Sequence, residues 1–225
     1  MDFMTVQEGL NIIKQIPNKP FKVIFQGQDL SDIIKNKGKT GQLMEAVILK
    51  LNLSNKHLDF TDGELKTNKS KADGTPAETV AVCQIASLFD NMIDENFDYN
   101  NNYVIEKLSN MIYVRADKSS KNPEDWKFFQ PQHITIANSK YTEWYKKVKN
   151  DLFEICTIIK QTCDSGKMLH STKGPGHYIQ IRTKDSNPYH PIFSKKYNRF
   201  ISDKNFAIYI TTEGLKELIR LNGVD

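Results

Sequence analysis

Apolar and polar positions along this chain repeat with two different periods, and the switches between them outline a mixed fold. "TVQEGLNIIKQI" spaces its apolar residues as a helix does and stops before Pro17, which predicts a short amphipathic helix. "FKVIF" reads as a short strand and "SDIIKN" as a capped helical turn closed by Gly38. Residues 40–51, "TGQLMEAVILKL", read as a strongly apolar helix that must be mostly buried. The stretch 57–85, "HLDFTDGELKTNKSKADGTPAETVAVCQI", then breaks into extended segments. Asp62-Gly63 and the Gly-Thr-Pro run supply the turn chemistry between them, so "LDF" and "ELKTN" predict a hairpin and "ETVAVCQI" a third strand.

The second half repeats the alternation on a larger scale. "YVIEKLSN" predicts a short helix leading into the strand "MIYVRA", and "HITIA" a further strand. The longest helix is expected over 140–163, where Tyr145, Val148, Leu152, Ile155, Ile159 and Cys163 form an apolar stripe suited to a core. "GPGHYIQIRTK" and "FAIYITTEG" read as two strands and "LKELIRL" as a closing helix. The class expected is α/β or α+β, with mixed strands flanked by helices.

Composition changes this picture little. The 225 residues suffice for one sizeable domain or one domain with two lobes, and 39% hydrophobic with 26% charged residues is ordinary for a globular chain. No apolar run approaches the roughly 18 residues of a membrane span. "MDFMTVQEGL" carries an acid where an export signal carries basic residues, so a cytoplasmic protein without a membrane partner is expected. Cys83, Cys156 and Cys163 lack metal spacing and are expected as reduced thiols. The net charge of +4 is modest, but residues 165–225 hold ten Lys/Arg against five Asp/Glu, a balance compatible with phosphate binding.

The candidate chemistry lies in the quoted stretch. Glu64 and Lys66 are two residues apart, so on a strand both side chains leave the same face, and Asp59 can be brought beside them across the Asp62-Gly63 turn. Two carboxylates and a lysine at one sheet edge suit a Mg²⁺ ion, which prefers oxygen ligands, polarises a phosphate and acidifies a bound water. A solvated hairpin with alternating charges reads the same way in sequence. Glu45 adds weight, because a carboxylate among the apolar residues of "QLMEAVIL" costs several kcal/mol unless paired or metal-bound. The bland alternative is a narrow polar stripe shared with Gln42 and facing water.

The motifs "KGKTGQLME", "LDFTDGELKT", "DGTPAETVAVC", "EKLSNMIYV", "GHYIQIRTK" and "FAIYIT", in that order, resemble the MutH mismatch-repair endonuclease family and its restriction-enzyme relatives among the PD-(D/E)xK nucleases. The similarity runs, with gaps, from about Gly38 to the C-terminus. It implies a restriction-endonuclease-like α/β fold, a mixed central sheet flanked by helices, with two lobes forming a DNA cleft. It also implies a single domain over 1–225, with a catalytic lobe near 1–135 and a DNA-reading lobe near 136–225. By resemblance, Glu45, Asp59, Glu64 and Lys66 form the catalytic set: the three acids gather around Mg²⁺ and Lys66 acts on the water. Lys107, Arg182, Lys184 and Tyr209 match positions that approach DNA.

Departures from the family pattern leave Asp62 as an alternative ligand to Asp59. The segment from about Ile93 to Asn102 and the stretch "KKYNRFISDKN" match the family pattern poorly. The function implied is a Mg²⁺-dependent type II restriction endonuclease for double-stranded DNA, with a GATC-related, methylation-sensitive site and a DNA methyltransferase as genomic partner. A partner-activated mismatch-repair nickase is the alternative, and a non-catalytic DNA-binding domain of the same fold is a third. Coordinated cuts in a palindrome would call for a homodimer on DNA.

Overall fold

The structure is a computed structural model that describes residues 4–34, 36, 38–51, 57–172 and 177–223. Its α-helices are α1 (Val6–Ile13), α2 (Phe21–Ile24), α3 (Lys39–Leu43), α4 (Phe89–Met92), α5 (Tyr103–Ser109), α6 (Thr142–Asp164) and α7 (Thr212–Asn222). Its strands are β1 (Glu64–Ser70), β2 (Val80–Gln84), β3 (Asn110–Asp117), β4 (Lys127–Phe128), β5 (Gln132–Thr135), β6 (Ile179–Thr183), β7 (Ile192–Ser194), β8 (Arg199–Ser202) and β9 (Phe206–Ile210). The fold is mixed α+β with several sheets. The chain divides into two units built from separate stretches, one from 1–78, 107–139 and 219–225 and the other from 79–106 and 140–218.

In the first unit, α1 starts where the sequence places it. The Thr5 side chain accepts from the Glu8 N–H while the Glu8 carboxylate accepts from the Thr5 N–H, a reciprocal cap that satisfies two otherwise orphaned donors. Val6, Leu10 and Ile13 then face a core shared with Phe21, Phe25, Leu43, Leu65, Ile112 and Phe128. The strand expected at "FKVIF" is instead the helical turn α2. Pro20 enters it with φ −62°, and Phe21 and Phe25, four apart, both reach Phe128 at ring centroid distances of 4.6 and 6.1 Å. A strand would have aligned Val23 with these two rings, whereas Val23 is 58% exposed. Gly38 opens α3 and does not close the turn before it. The long helix expected over 40–51 is α3 followed by a π-helical turn, Met44–Ile48, whose widened loop bonds the Leu49 N–H to the Met44 carbonyl at 3.0 Å.

The expected three-stranded arrangement at 57–85 does not form. Residues 57–62 run as bends, and β1 pairs in parallel with β3, from Glu64 opposite Met111 to Ser70 opposite Asp117. β3 in turn pairs antiparallel with β4 and β5, so this sheet is mixed. Leu65 enters the hydrophobic core on one face of β1, while Glu64, Asn68 and Ser70 are buried on the other. A strand covered on both faces is the habit of parallel pairing, not of an exposed hairpin. After Ser70 the chain doubles back, with the Lys71 N–H on the Thr75 carbonyl and the Ala77 N–H on the Lys69 carbonyl, both at 2.9 Å. β2 is a strand as expected but belongs to the other sheet.

The second unit holds an antiparallel sheet in the order β2-β9-β6 and the separate two-stranded ribbon β7-β8. All six residues of the α6 stripe are buried, as the sequence predicts. Asp151, fully buried on α6, accepts from the Tyr178 and Ile179 N–H groups at 2.5 and 3.2 Å and pairs with Lys147 at 2.8 Å, which ties the start of β6 to the helix. Part of the glycine-proline turn before β6, residues 173–176, lies outside the described residues. Cys83, Cys156 and Cys163 are free and buried. Among the described residues no helix is long and apolar enough to cross a membrane.

Candidate active site

Strand β1 supplies the centre of a buried charged cluster. Alternation sends Glu64 and Lys66 to one face of the strand, opposite the Leu65 side that feeds the core. The Glu64 carboxylate is 1% exposed and is held from both sides: Lys66 donates to one oxygen, and Lys107, at the C-terminal end of α5, donates to the other. Lys107 also donates to the His57 carbonyl. The parallel register explains the meeting, because Glu64 lies opposite Met111 and α5 ends just before β3 begins.

Asp59 joins from the bend before β1. Its carboxylate accepts from the Leu65 N–H at 2.9 Å, which fixes it beside the start of the strand. The turn between them is tight: Phe60 N–H reaches the Gly63 carbonyl at 2.9 Å, and a side chain at Gly63 would collide with the Asn110 carbonyl and with Val6. Asp62 is engaged elsewhere. It accepts from the Val6 N–H at 2.7 Å at the start of α1, and from the Asn110 amide at 3.3 Å.

Glu45 comes from the π-helical turn and is partly buried. α3 approaches β1 at Gly41, where an added Cβ would stand 3.1 Å from the Thr67 hydroxyl and 3.8 Å from a Glu45 carboxylate oxygen. Burial pushes the Glu45 carboxyl up to about 7, and the negative charge of Asp59 adds to the rise; Lys66 opposes it and Glu64 reinforces it. Glu64 is also raised, first by burial, with Lys66 pulling it back and Asp59 pushing it further. The four residues of the expected catalytic set therefore act on one another electrostatically. Glu45 is not a surface residue on a solvated stripe, although Gln42, its proposed companion, is exposed.

As placed, the acids do not form a ready ligand cage: among the described residues no group of three or more His, Cys, Asp or Glu could hold a metal ion. The donor set still suits a hard divalent cation. It is all carboxylate oxygen, and the mutual repulsion among Glu45, Asp59 and Glu64 is of the kind such an ion offsets. Both Glu64 oxygens are engaged by ammonium groups, so one of these bonds must open for Glu64 to become a ligand.

The sequence matches no protein-family model and no curated protein.

The remaining expected residues fall into two places. Lys107, assigned by resemblance to DNA, is 8% exposed and stands in the Glu64 cluster. Spacing offered no signal for that, since the two residues are 43 positions apart and meet only through the β1-β3 pairing. Arg182, Lys184 and Tyr209 belong to the second unit. The exposed Arg182 donates to the Thr79 hydroxyl at 3.2 Å, and its guanidinium carbon lies 5.8 Å from the centre of the Tyr209 ring on the adjoining strand β9. Burial raises the Tyr209 hydroxyl pKa and Arg182 lowers it. Lys184, exposed just beyond β6, donates its backbone N–H to the Asn205 carbonyl at 3.0 Å.

Proposed function

We propose that this protein is a Mg²⁺-dependent endonuclease for double-stranded DNA with a MutH-like, restriction-endonuclease-like fold, acting as a type II restriction enzyme at a GATC-related, methylation-sensitive site. One observation carries the reading: Glu64 is buried between Lys66 and Lys107 while the charges of Asp59 and Glu45 act at the same place. A buried carboxylate flanked by two lysines and pressed by two further acids is costly as mere structure. It is a sensible arrangement for phosphodiester hydrolysis. The mixed sheet of the first unit, with this cluster on β1, further supports the fold assignment.

Glu45, Asp59 and Glu64 would hold the ion, which when bound supplies Lewis-acid polarisation of the phosphate and a more acidic water. Lys66 orients the attacking water and places positive charge where the transition state gathers negative charge. Lys107 keeps the Glu64 carboxylate aimed while Lys66 turns to the water. Leu65 N–H holds Asp59 against rotation. Arg182 and Lys184, exposed on and just beyond β6, are suited to phosphate contact, and Arg182 also has the fork geometry that reads guanine.

The test is incubation of supercoiled plasmid with protein and Mg²⁺, with unmethylated and GATC-methylated DNA in parallel, followed by mapping of the ends. Discrete double-strand fragments from unmethylated plasmid alone are the expected result. Nicked circles would assign a nickase, and intact plasmid bound without cleavage would assign a DNA-binding domain.

A further inference from the structure

The β7-β8 ribbon is built unlike the rest of the second unit. Its two strands pair with each other and with neither sheet, and Phe193 and Phe200 stand directly opposite each other with ring centroids 5.3 Å apart. Both rings face outward, 46% and 57% exposed, and Tyr189 just before β7 is 47% exposed. Scattered exposed apolar residues are normal, and a cross-strand aromatic pair stabilises a ribbon, but here the pair also sets two exposed rings side by side on one face.

The ribbon is also held firmly. On its inner face Ile192, Ser194, Ile201 and Ser202 are buried. Asp90 accepts from the Ser194 hydroxyl at 2.5 Å and from the Lys195 N–H at 2.8 Å, and Tyr197 donates to Asp164 at 2.6 Å. Arg199 donates to the Cys163 and Lys167 carbonyls at 3.0 and 3.1 Å, so its charge is spent on the end of α6. Asn198 makes the turn in the left-handed region at φ +49°. A rigid ribbon presents its outer face with little ordering cost on binding.

Charge identifies the occupant. Between Tyr189 and Lys204 there are four Lys/Arg and one acid, Asp203. Arg199 is turned to the end of α6 and Lys196 to the Ile93 carbonyl, which leaves Lys195 and Lys204 for a ligand. Asp90 and Asp164 are taken up by Ser194, the Lys195 N–H and Tyr197. Lys195 is exposed at the ribbon turn, and the Lys204 ammonium lies 4.5 Å over the Tyr189 ring. Lysines beside exposed aromatic rings match a polyanion whose groove offers apolar base edges such as the thymine methyl, and a two-stranded ribbon fits the major groove of duplex DNA. We propose that the β7-β8 ribbon is a DNA-contacting element in which Lys195 and Lys204 meet phosphates while Phe193 and Phe200 meet base edges. This rests on the endonuclease reading and extends it to the segment "KKYNRFISDKN", which matches the family pattern poorly.

The test measures binding of a fluorescein-labelled duplex by anisotropy over a range of salt, using chain carrying Lys66→Ala so that the probe stays intact. Adding Phe193→Ser with Phe200→Ser weakens binding about tenfold and leaves the salt slope unchanged, because base-edge contacts release no counterions. Adding Lys195→Ala with Lys204→Ala lowers the slope by about one per lysine. Circular dichroism and sedimentation accompany each variant. Duplex affinity unchanged in the folded double-Phe variant overturns the proposal, as does loss of self-association without loss of DNA affinity, which would make the pair a contact between two copies. If the otherwise unaltered protein cuts DNA in these cases, only this inference falls. If it neither binds nor cuts, the endonuclease reading falls first.

Discussion

Strand β1 carries Glu64 and Lys66 two residues apart, and β6 leads through Arg182 to Lys184 with the same spacing. Yet Glu64 is 1% exposed while Arg182 and Lys184 lie open to solvent. Alternation establishes that two side chains share a face, not whether the face is covered. Where it is covered, each charge needs a partner, and the partners come from distant sequence: Lys107 for Glu64, and a bend holding Asp59. Where it is open, a charge acts on whatever approaches. The same spacing therefore gives a buried, mutually paired charge cluster on one strand and an open pair of positive charges on the other.

The comparison breaks most sharply on stability. Glu64→Ala leaves two lysines without their carboxylate and is expected to cost about 3–5 kcal/mol, read by urea unfolding. Arg182→Ala, on an open face, should shift the same measurement by no more than about 0.5 kcal/mol. Similar losses in both would show that the Glu64 cluster is not energetically closed. Lys107→Ala comes next, with about 2–4 kcal/mol expected, and a double-mutant cycle with Glu64→Ala should show strong coupling. Independent effects would mean that the two side chains do not meet.

Arg182→Ala has its effect on DNA. Binding of duplex should weaken and its salt slope fall by about one if the arginine meets a phosphate. Weaker binding with an unchanged slope would move Arg182 to base readout.

A further charged group, Lys118, gives an effect confined to alkaline pH. Lys118 donates to the Thr40 hydroxyl at 2.6 Å and lies 4.9 Å over the Trp126 ring. Burial pushes its ammonium down from 10.5 to about 8, with Glu78 pulling upward and Lys69 downward. Between about pH 8 and 10.5 the unfolded chain therefore binds more protons than the folded one, and Lys118 makes stability rise with pH across that window. Lys118→Met should flatten the rise, measured as the melting temperature against pH. An unaltered profile would place the lysine in water.

Much of the fold was legible because local chemistry decides it. The apolar spacing of "TVQEGLNIIKQI" marks α1, and the stripe from Tyr145 to Cys163 marks α6. What stayed hidden depends on distant pairing. The hairpin expected at 57–85 gives way to a parallel β1-β3 ladder, and β2 leaves for another sheet, because both faces of β1 are buried and local turn signals say nothing of that. At "FKVIF", Pro20 and the Phe128 ring outweigh strand propensity. The candidate site shows the same division. Glu64 and Lys66 were visible as a pair from their spacing, and Glu45 as an acid in an apolar run. Lys107 was not, since only a parallel crossover brings it to Glu64. The β7-β8 ribbon was hidden too, being only three and four residues per strand with one apolar face turned outward.

The most direct test of the central claim, that the β1 cluster hydrolyses phosphodiesters while the β6 charges hold DNA, is plasmid cleavage with Mg²⁺ at saturating DNA by three proteins: unaltered, Lys66→Ala and Arg182→Ala. The account predicts cleavage by the unaltered chain, a loss of about a thousandfold in Lys66→Ala with duplex binding kept, and near-normal cleavage by Arg182→Ala once DNA is saturating. Undiminished cleavage by folded Lys66→Ala, or no cleavage by the unaltered protein on any methylation state, would contradict it.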